Sequence, residues 1–126
     1  MKTLVITGAS SGIGEYLVYA YAGRGATVGL AARRNEHLEK VAVRCRELGG
    51  EAFVYQVDAK DQQACKSAAE QFMSQAGSID MVIANAGIGG HDDLMSGDAT
   101  AIYNIIETNV LGVTNTLMPF IPAMKA

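Results

Sequence analysis

Four short runs, apolar through their middles on every residue and not on alternate ones, constrain this chain most. They span Thr3 to Thr7, Thr27 to Ala32, Ala52 to Val57 and Asp80 to Ala84. A strand with one wet face alternates apolar and polar residues. A strand that is apolar throughout needs cover on both faces, which is the condition of a parallel sheet between two helical layers. The intervening stretches Gly12 to Arg24, Asn35 to Leu48 and Asp61 to Gln75 carry the other periodicity, with apolar residues three and four apart, as in Leu38, Val41, Ala42, Cys45 and Leu48. The resulting βαβαβαβα order with right-handed crossovers predicts an α/β fold with strand order 3-2-1-4. A last apolar helix is expected from about Ala99 to Leu117, with Pro119 and Pro122 at its frayed end.

With 126 residues, 49% of them hydrophobic and only two prolines, the chain is expected to bury one core as a single domain, residues 1–126, without disulfides or a structural metal. A net charge of -3 lacks the basic footprint that phosphate-backbone binding requires, so nucleic acid is not an expected partner. No apolar run reaches the roughly 18 residues of a membrane span, and no signal-peptide pattern follows Met1. No membrane association and a cytoplasmic location are the corresponding expectations. Cys45 and Cys65 have no Cys-x-x-Cys spacing and no nearby His, and read as reduced, packed thiols.

The first strand runs into Thr7-Gly8-Ala9-Ser10-Ser11-Gly12-Ile13-Gly14 immediately before a helix. Such a turn presents free backbone N–H groups and the positive end of a helix to an anion such as a pyrophosphate. Gly8 permits the sharp turn, Gly12 lets a ligand approach the backbone, and Gly14 lets the helix sit close on the sheet. Ser10, Ser11 and Ile13 lie between them. Strand, glycine loop and helix in this order are the start of a Rossmann-type dinucleotide fold.

The spacing Gly-x-x-x-Gly-x-Gly after Thr resembles the fingerprint of the short-chain dehydrogenase/reductase family, in its classical type. Three further matches follow in order: Asp58, with Ala59, closing strand three; Asn85-Ala86-Gly87 closing strand four; and Asn109 within Thr108-Asn109-Val110-Leu111-Gly112. The four motifs cover almost the whole chain. The resemblance implies a nicotinamide dinucleotide as cofactor, with Asp58 and Ala59 at the adenine and Asn85, Ala86 and Gly87 bracing the sheet beside the ribose. It also implies hydride exchange with a small carbonyl or alcohol substrate, of which the sequence specifies nothing more.

The choice between the two nicotinamide cofactors is argued from charge. A ribose 2′-hydroxyl is met by a carboxylate at the end of strand two, a 2′-phosphate by a guanidinium. This strand ends Leu30-Ala31-Ala32-Arg33-Arg34, and no Asp or Glu occurs between Glu15 and Glu36. NADP(H) is therefore favoured over NAD(H), with Arg33 as the first ligand to the 2′-phosphate and Arg34 as the second. The competing reading is a solvated charge pair before a helix.

Asn109 falls inside the stripe Ile102, Ile105, Ile106, Val113 and Leu117, which predicts a buried amide. A buried amide needs hydrogen-bond partners or costs about 1 to 3 kcal/mol. By the resemblance it holds a water in the proton relay to a catalytic Lys; the alternative is a structural amide bonded to backbone.

The family's chemistry also uses a Ser and a Tyr-x-x-x-Lys pair, in which Lys lowers the Tyr pKa. Four residues after Tyr16, Tyr19, Tyr21, Tyr55 and Tyr103 stand Ala20, Gly23, Gly25, Ala59 and Glu107, so the pair is absent from these 126 residues. The chain is thus expected to be the cofactor-binding half of such an enzyme, truncated before the fifth strand and inactive alone. The rival reading is a non-catalytic dinucleotide-binding or interaction protein, from a truncated gene or a proteolytic fragment. An uncovered strand four and last helix would favour a homo-oligomer. His91-Asp92-Asp93 is read as a solvated loop and not a metal site, because three consecutive side chains point apart. His37 is expected at the surface.

Overall fold

The computed structural model describes residues 2–86 and 99–125 of the chain. Its strands are β1 (Thr3–Thr7), β2 (Thr27–Ala32), β3 (Glu51–Gln56) and β4 (Met81–Ile83), and the helices between them are α1 (Gly12–Ala22), α2 (Asn35–Glu47) and α3 (Gln62–Ala76). All pairings are parallel and the order is β3-β2-β1-β4, as the alternation of patterns predicts. Leu4 sits opposite both Val28 and Met81, and Val28 opposite Ala52, so one row of residues crosses the sheet in register.

The strands are apolar throughout because each feeds two cores. Leu4, Ile6, Val28 and Leu30 point to one face, where Val18 and Ala22 of α1 and Leu38, Val41 and Cys45 of α2 close over them. Val5, Ala31 and Tyr55 point to the other, against Ala69 and Phe72 of α3 and Phe120 near the C-terminus. Phe72 is met edge-on by Phe53 and Tyr55, each at a centroid distance of 6.1 Å. Gly29 makes room for that ring, since a Cβ there would lie 2.8 Å from it. The Tyr55 hydroxyl finds its partner in the Gln75 side chain.

Asp61 caps α3 by accepting from the Ala64 N–H at 3.0 Å. At the opposite end of β1, the Asp80 side chain accepts from the Thr3 N–H at 2.8 Å, while the Asp80 N–H donates to the Thr3 carbonyl. Asp80 thus serves as a clasp below β4, which begins one residue after the predicted start.

Past residue 98 the chain is helical from Thr100 to Lys125: α4 (Thr100–Ile106), a π-helical turn (Glu107–Leu111), α5 (Gly112–Leu117), a 3₁₀ turn (Met118–Phe120) and α6 (Ile121–Lys125). The α-helix thus ends at Leu117, where the sequence puts its end, and a 3₁₀ turn and a short helix carry the chain on. Pro119 and Pro122 each stand in the first turn of a new helical segment, where a missing N–H costs nothing. The buried face is corrected. It consists of Thr108, Gly112, Thr116 and Phe120, four residues apart, while Ile106 of the expected stripe is 47% exposed and Asn109 is exposed. The π-helical turn shifts the phase of the helix at Asn109, and the small residues allow a close approach: a Cβ on Gly112 would stand 3.0 Å from that of Ala59. Among the described residues no helix is long and apolar enough to cross a membrane.

Candidate cofactor site

The carboxyl ends of β1, β2 and β3 open into a cleft of about 370 Å³. Ligands of open α/β sheets bind at this edge, because loops diverge there and helix N-termini converge. Gly8, Ser10 and Ser11 form one wall, Arg33 and Arg34 a second, and Asp58 and Ala59 a third, with Ala86 beside them. Eight of the predicted site residues are thereby brought together. Gly12, Ile13, Gly14 and Asn85 stand next to the cleft in sequence without lining it, Gly87 lies outside the described residues, and so does the His91-Asp92-Asp93 loop. Asn109 is exposed and off the lining, although its neighbour Thr108 belongs to it.

Backbone geometry fixes the glycine loop. Gly12 has φ +57°, and a Cβ added there would meet no atom of the described residues within 4 Å, which leaves the space in front of it open among them. Gly14 is the reverse case. A Cβ there would run into the Gly8 carbonyl, 2.8 Å from its carbon, and stand 2.7 Å from Asn85 Nδ2. Asn85 Nδ2 itself donates to the Gly8 carbonyl at 3.4 Å.

Thr7, which sequence reasoning passed over, ties the ends of β1 and β4 together. Its buried hydroxyl oxygen accepts from the Asn85 N–H and the Ala86 N–H, both at 3.0 Å. A Thr at a strand end carries no signal of such a role, because its partners are 78 and 79 residues away.

The loop after β3 is held from three sides. Asp58 Oδ1 accepts from the Lys60 N–H at 3.0 Å, Lys60 Nζ donates to Asn104 Oδ1 at 2.7 Å, and Asn115 Nδ2 donates to the Ala59 carbonyl at 2.9 Å. Cys65 packs its Sγ 3.7 Å from the Asp58 and Ala59 carbonyls, and burial pushes its thiol up to about 11, with Asp61 and Asp58 adding to the effect. This is a packed, protonated thiol and not a nucleophile.

The charge at the end of β2 is uncompensated. Arg33 and Arg34 are exposed, and neither guanidinium has a hydrogen bond or ion pair among the described residues; only the Arg33 carbonyl is engaged, by Gln56 Nε2 at 3.0 Å. His37 joins them on the cleft wall, with Nε2 2.8 Å from Glu15 Oε1 across on α1. The hydrogen bond from His37 holds the Glu15 carboxyl below its usual range, against the opposing effect of burial. Tyr19 donates to the other Glu15 oxygen at 2.8 Å, and burial together with that carboxylate pushes the phenol up to about 12. A dinucleotide fits this arrangement: open backbone for the pyrophosphate, a carboxylate-bearing loop at one end, and two unpaired guanidiniums between.

The sequence model described as short chain dehydrogenase matches residues 2–126. An "11-beta-hydroxysteroid dehydrogenase-like 4A" from Arabidopsis thaliana is 37% identical over 126 residues, 98% of this chain and 42% of that protein. Among solved structures, an alcohol dehydrogenase from the archaeon Thermococcus sibiricus complexed with 5-hydroxy-NADP superposes with a TM-score of 0.93 at 36% identity, covering 99% of this chain and 54% of that one. Carveol dehydrogenase from Mycobacterium avium in complex with NAD gives 0.89 at 26% identity, covering 98% and 49%. The chain spans about half the length of the relatives it matches.

Proposed function

The chain belongs to the short-chain dehydrogenase family of oxidoreductases, and from that membership we propose that it supplies the cofactor-binding half of an NADP(H)-dependent enzyme acting on a carbonyl or alcohol. The observation that carries the choice of cofactor is the pair Arg33 and Arg34, exposed on the cleft wall without a side-chain partner among the described residues. In this reading they bind the 2′-phosphate. Gly8, Ser10, Ser11, Gly12, Ile13 and Gly14 receive the pyrophosphate at the N-terminus of α1. Asp58 and Ala59 take the adenine, and Asn85, Ala86 and Gly87 serve the ribose side, with Asn85 and Ala86 anchored through Thr7. When bound, the nicotinamide exchanges a hydride with the substrate carbon. Asn109 holds the relay water, and as a single dinucleotide-binding domain without the Tyr-x-x-x-Lys pair the 126 residues do not turn substrate over alone.

Two of the structural relatives carry NADP-type and NAD ligands in their names, so family membership is neutral on the choice, and the charge argument is what supports NADP(H). Calorimetric titration with NADPH and NADH tests it. Tight NADPH binding with NADH at least tenfold weaker supports the reading; equal affinities refute the role of the arginines, and binding of neither favours a clipped or vestigial chain. A cytoplasmic, self-associating protein completes the proposal. Among the described residues β4 is an edge strand, and Tyr103, Val110, Leu111 and Met118 stand exposed on the terminal helices. A clean monomer in sedimentation at micromolar concentration refutes self-association.

A further inference from the structure

His37 belongs to the cleft but to none of the family motifs in the sequence. It shares the wall with Arg33 and Arg34, its side chain is 51% exposed, and Nε2 is bound to Glu15 Oε1 at 2.8 Å. Glu15, 26% exposed, is fixed in turn by the Tyr19 hydroxyl. One ring nitrogen is thus committed to a carboxylate, which fixes the other, Nδ1, as the atom left for a ligand.

The tautomer follows from that commitment. A ring that donates Nε2–H to a carboxylate carries its lone pair on Nδ1 when neutral, and a lone pair repels phosphate oxygen. Only the imidazolium presents N–H at both nitrogens, one to Glu15 and one to the anion. Glu15 faces the ring from α1, Arg33, Arg34 and Asp58 share the cleft with it, and Glu36 and Lys40 lie one residue before and three residues after it on α2. Tyr19 contributes a neutral donor to Glu15. A phosphate entering between the arginines and the ring is therefore met by an N–H at Nδ1 only from the imidazolium.

On the NADP(H) reading above, we propose that His37 is a further specificity-determining residue, which engages the 2′-phosphate through Nδ1 and takes up a proton from solvent as it does so. Glu15 is the positioning residue that holds the ring. Recognition of the 2′-phosphate is then linked to proton binding, and recognition of a bare 2′-hydroxyl is not.

The test is calorimetric titration of the 126-residue chain with NADPH and with NADH, near neutral pH, in buffers of small and large ionisation enthalpy. The slope of apparent enthalpy against buffer enthalpy gives the protons exchanged. The 2′-phosphate also titrates near neutrality, so the informative quantity is the difference between wild type and His37→Gln, in which that contribution is common. Wild type is expected to take up more protons than His37→Gln on binding NADPH, and the two to be equal with NADH. The variant is expected to bind NADPH about three- to fivefold more weakly, the range of a partly exposed ion pair, with NADH unchanged. Glu15→Gln should also lower the uptake, since it removes the charge that favours the imidazolium. Equal proton uptake and equal NADPH affinity in wild type and His37→Gln overturn the proposal, and if Arg33→Ala still weakens NADPH the cofactor reading survives. If NADPH is not preferred and Arg33→Ala changes nothing, both readings fall together.

Discussion

Replacing Gly14 by alanine tests whether the seat of α1 on the sheet governs the site. The added methyl meets backbone on one side, with the Gly8 carbonyl carbon at 2.8 Å, and the Asn85 amide on the other at 2.7 Å, whereas ordinary contact begins at 3.4 Å. The Gly8 backbone cannot swing aside cheaply, because it stands in the turn at φ +65°, and Asn85 Nδ2 can move only by giving up its bond to the Gly8 carbonyl. Helix α1 must therefore withdraw by well over half an ångström. Overpacking against such a surface costs about 3 kcal/mol at the upper end of its usual range, and alanine's better helix propensity returns about 1 kcal/mol. A net loss of about 2 kcal/mol should lower the melting temperature by roughly 6 to 10 °C for a chain of this size. NADPH and NADH should weaken in parallel, because the loop from Gly8 to Ser11 moves with the helix. Thermal melts followed by circular dichroism, with Gly23→Ala as control, measure the effect. Gly23 has φ -63° and its nearest neighbours would be 3.6 and 3.7 Å from a Cβ, so that substitution should be neutral or stabilise by up to about 1 kcal/mol. A Gly14→Ala protein that melts within a degree of wild type, or a Gly23→Ala protein that loses as much, refutes the close-packing argument.

Arg33→Ala should raise the NADPH dissociation constant about tenfold, the equivalent of one charge-assisted bond of about 1.4 kcal/mol, and leave NADH within twofold by calorimetry. Thr7→Val keeps the shape but removes the acceptor of two N–H groups, and should cost about 2 kcal/mol in urea unfolding, with Thr7→Ser restoring most of it. Phe72→Ala opens a cavity under Gly29 and should cost about 3 to 5 kcal/mol, enough to leave little cooperative transition. The Cys65 thiol is raised from its ordinary value near 9 to about 11, so folding favours its protonated form. Its contribution to stability is complete below pH 9 and is lost as pH rises through 9 to 11; urea midpoints across that range should fall less steeply in Cys65→Ala than in wild type.

The sheet was legible because its signals are local. Each strand run is uniformly apolar, each intervening helix ends at a Gly or begins at a cap such as Asp61, and the ends of β1 and β2 fall where the pattern puts them. The glycine loop and the arginines were legible for the same reason, since each occupies a few consecutive residues at a strand end. The terminal helix was not legible in this way, because hydrophobicity does not track burial along it. Its inward residues Thr108, Gly112 and Thr116 are small or hydroxylic, and they are buried because α3 and the loop at Ala59 come close, with the Thr116 hydroxyl satisfied by the Gly112 carbonyl at 2.8 Å. That contact joins segments more than fifty residues apart and has no periodic trace. The Thr7 clamp and the His37–Glu15 pair were hidden likewise, the latter linking side chains 22 residues apart on different helices.

The placement of β1 between β2 and β4 has a consequence for how the chain is made. Its partner on one side, β2, begins 24 residues after it, whereas Met81, the partner of Leu4 on the other side, is separated from it by 77. During synthesis three strands can pair while the fourth is still untranslated, and the second edge of β1 then stays bare. That edge belongs to Leu4 and Ile6, both fully buried in the finished molecule. Long-range parallel pairing of this kind forms late, and an unpaired apolar edge is a template for any other strand. The most vulnerable interval in the life of this fold thus precedes the arrival of residue 81 at the tunnel exit, and a chaperone that shields β1 over that interval would protect the nascent chain.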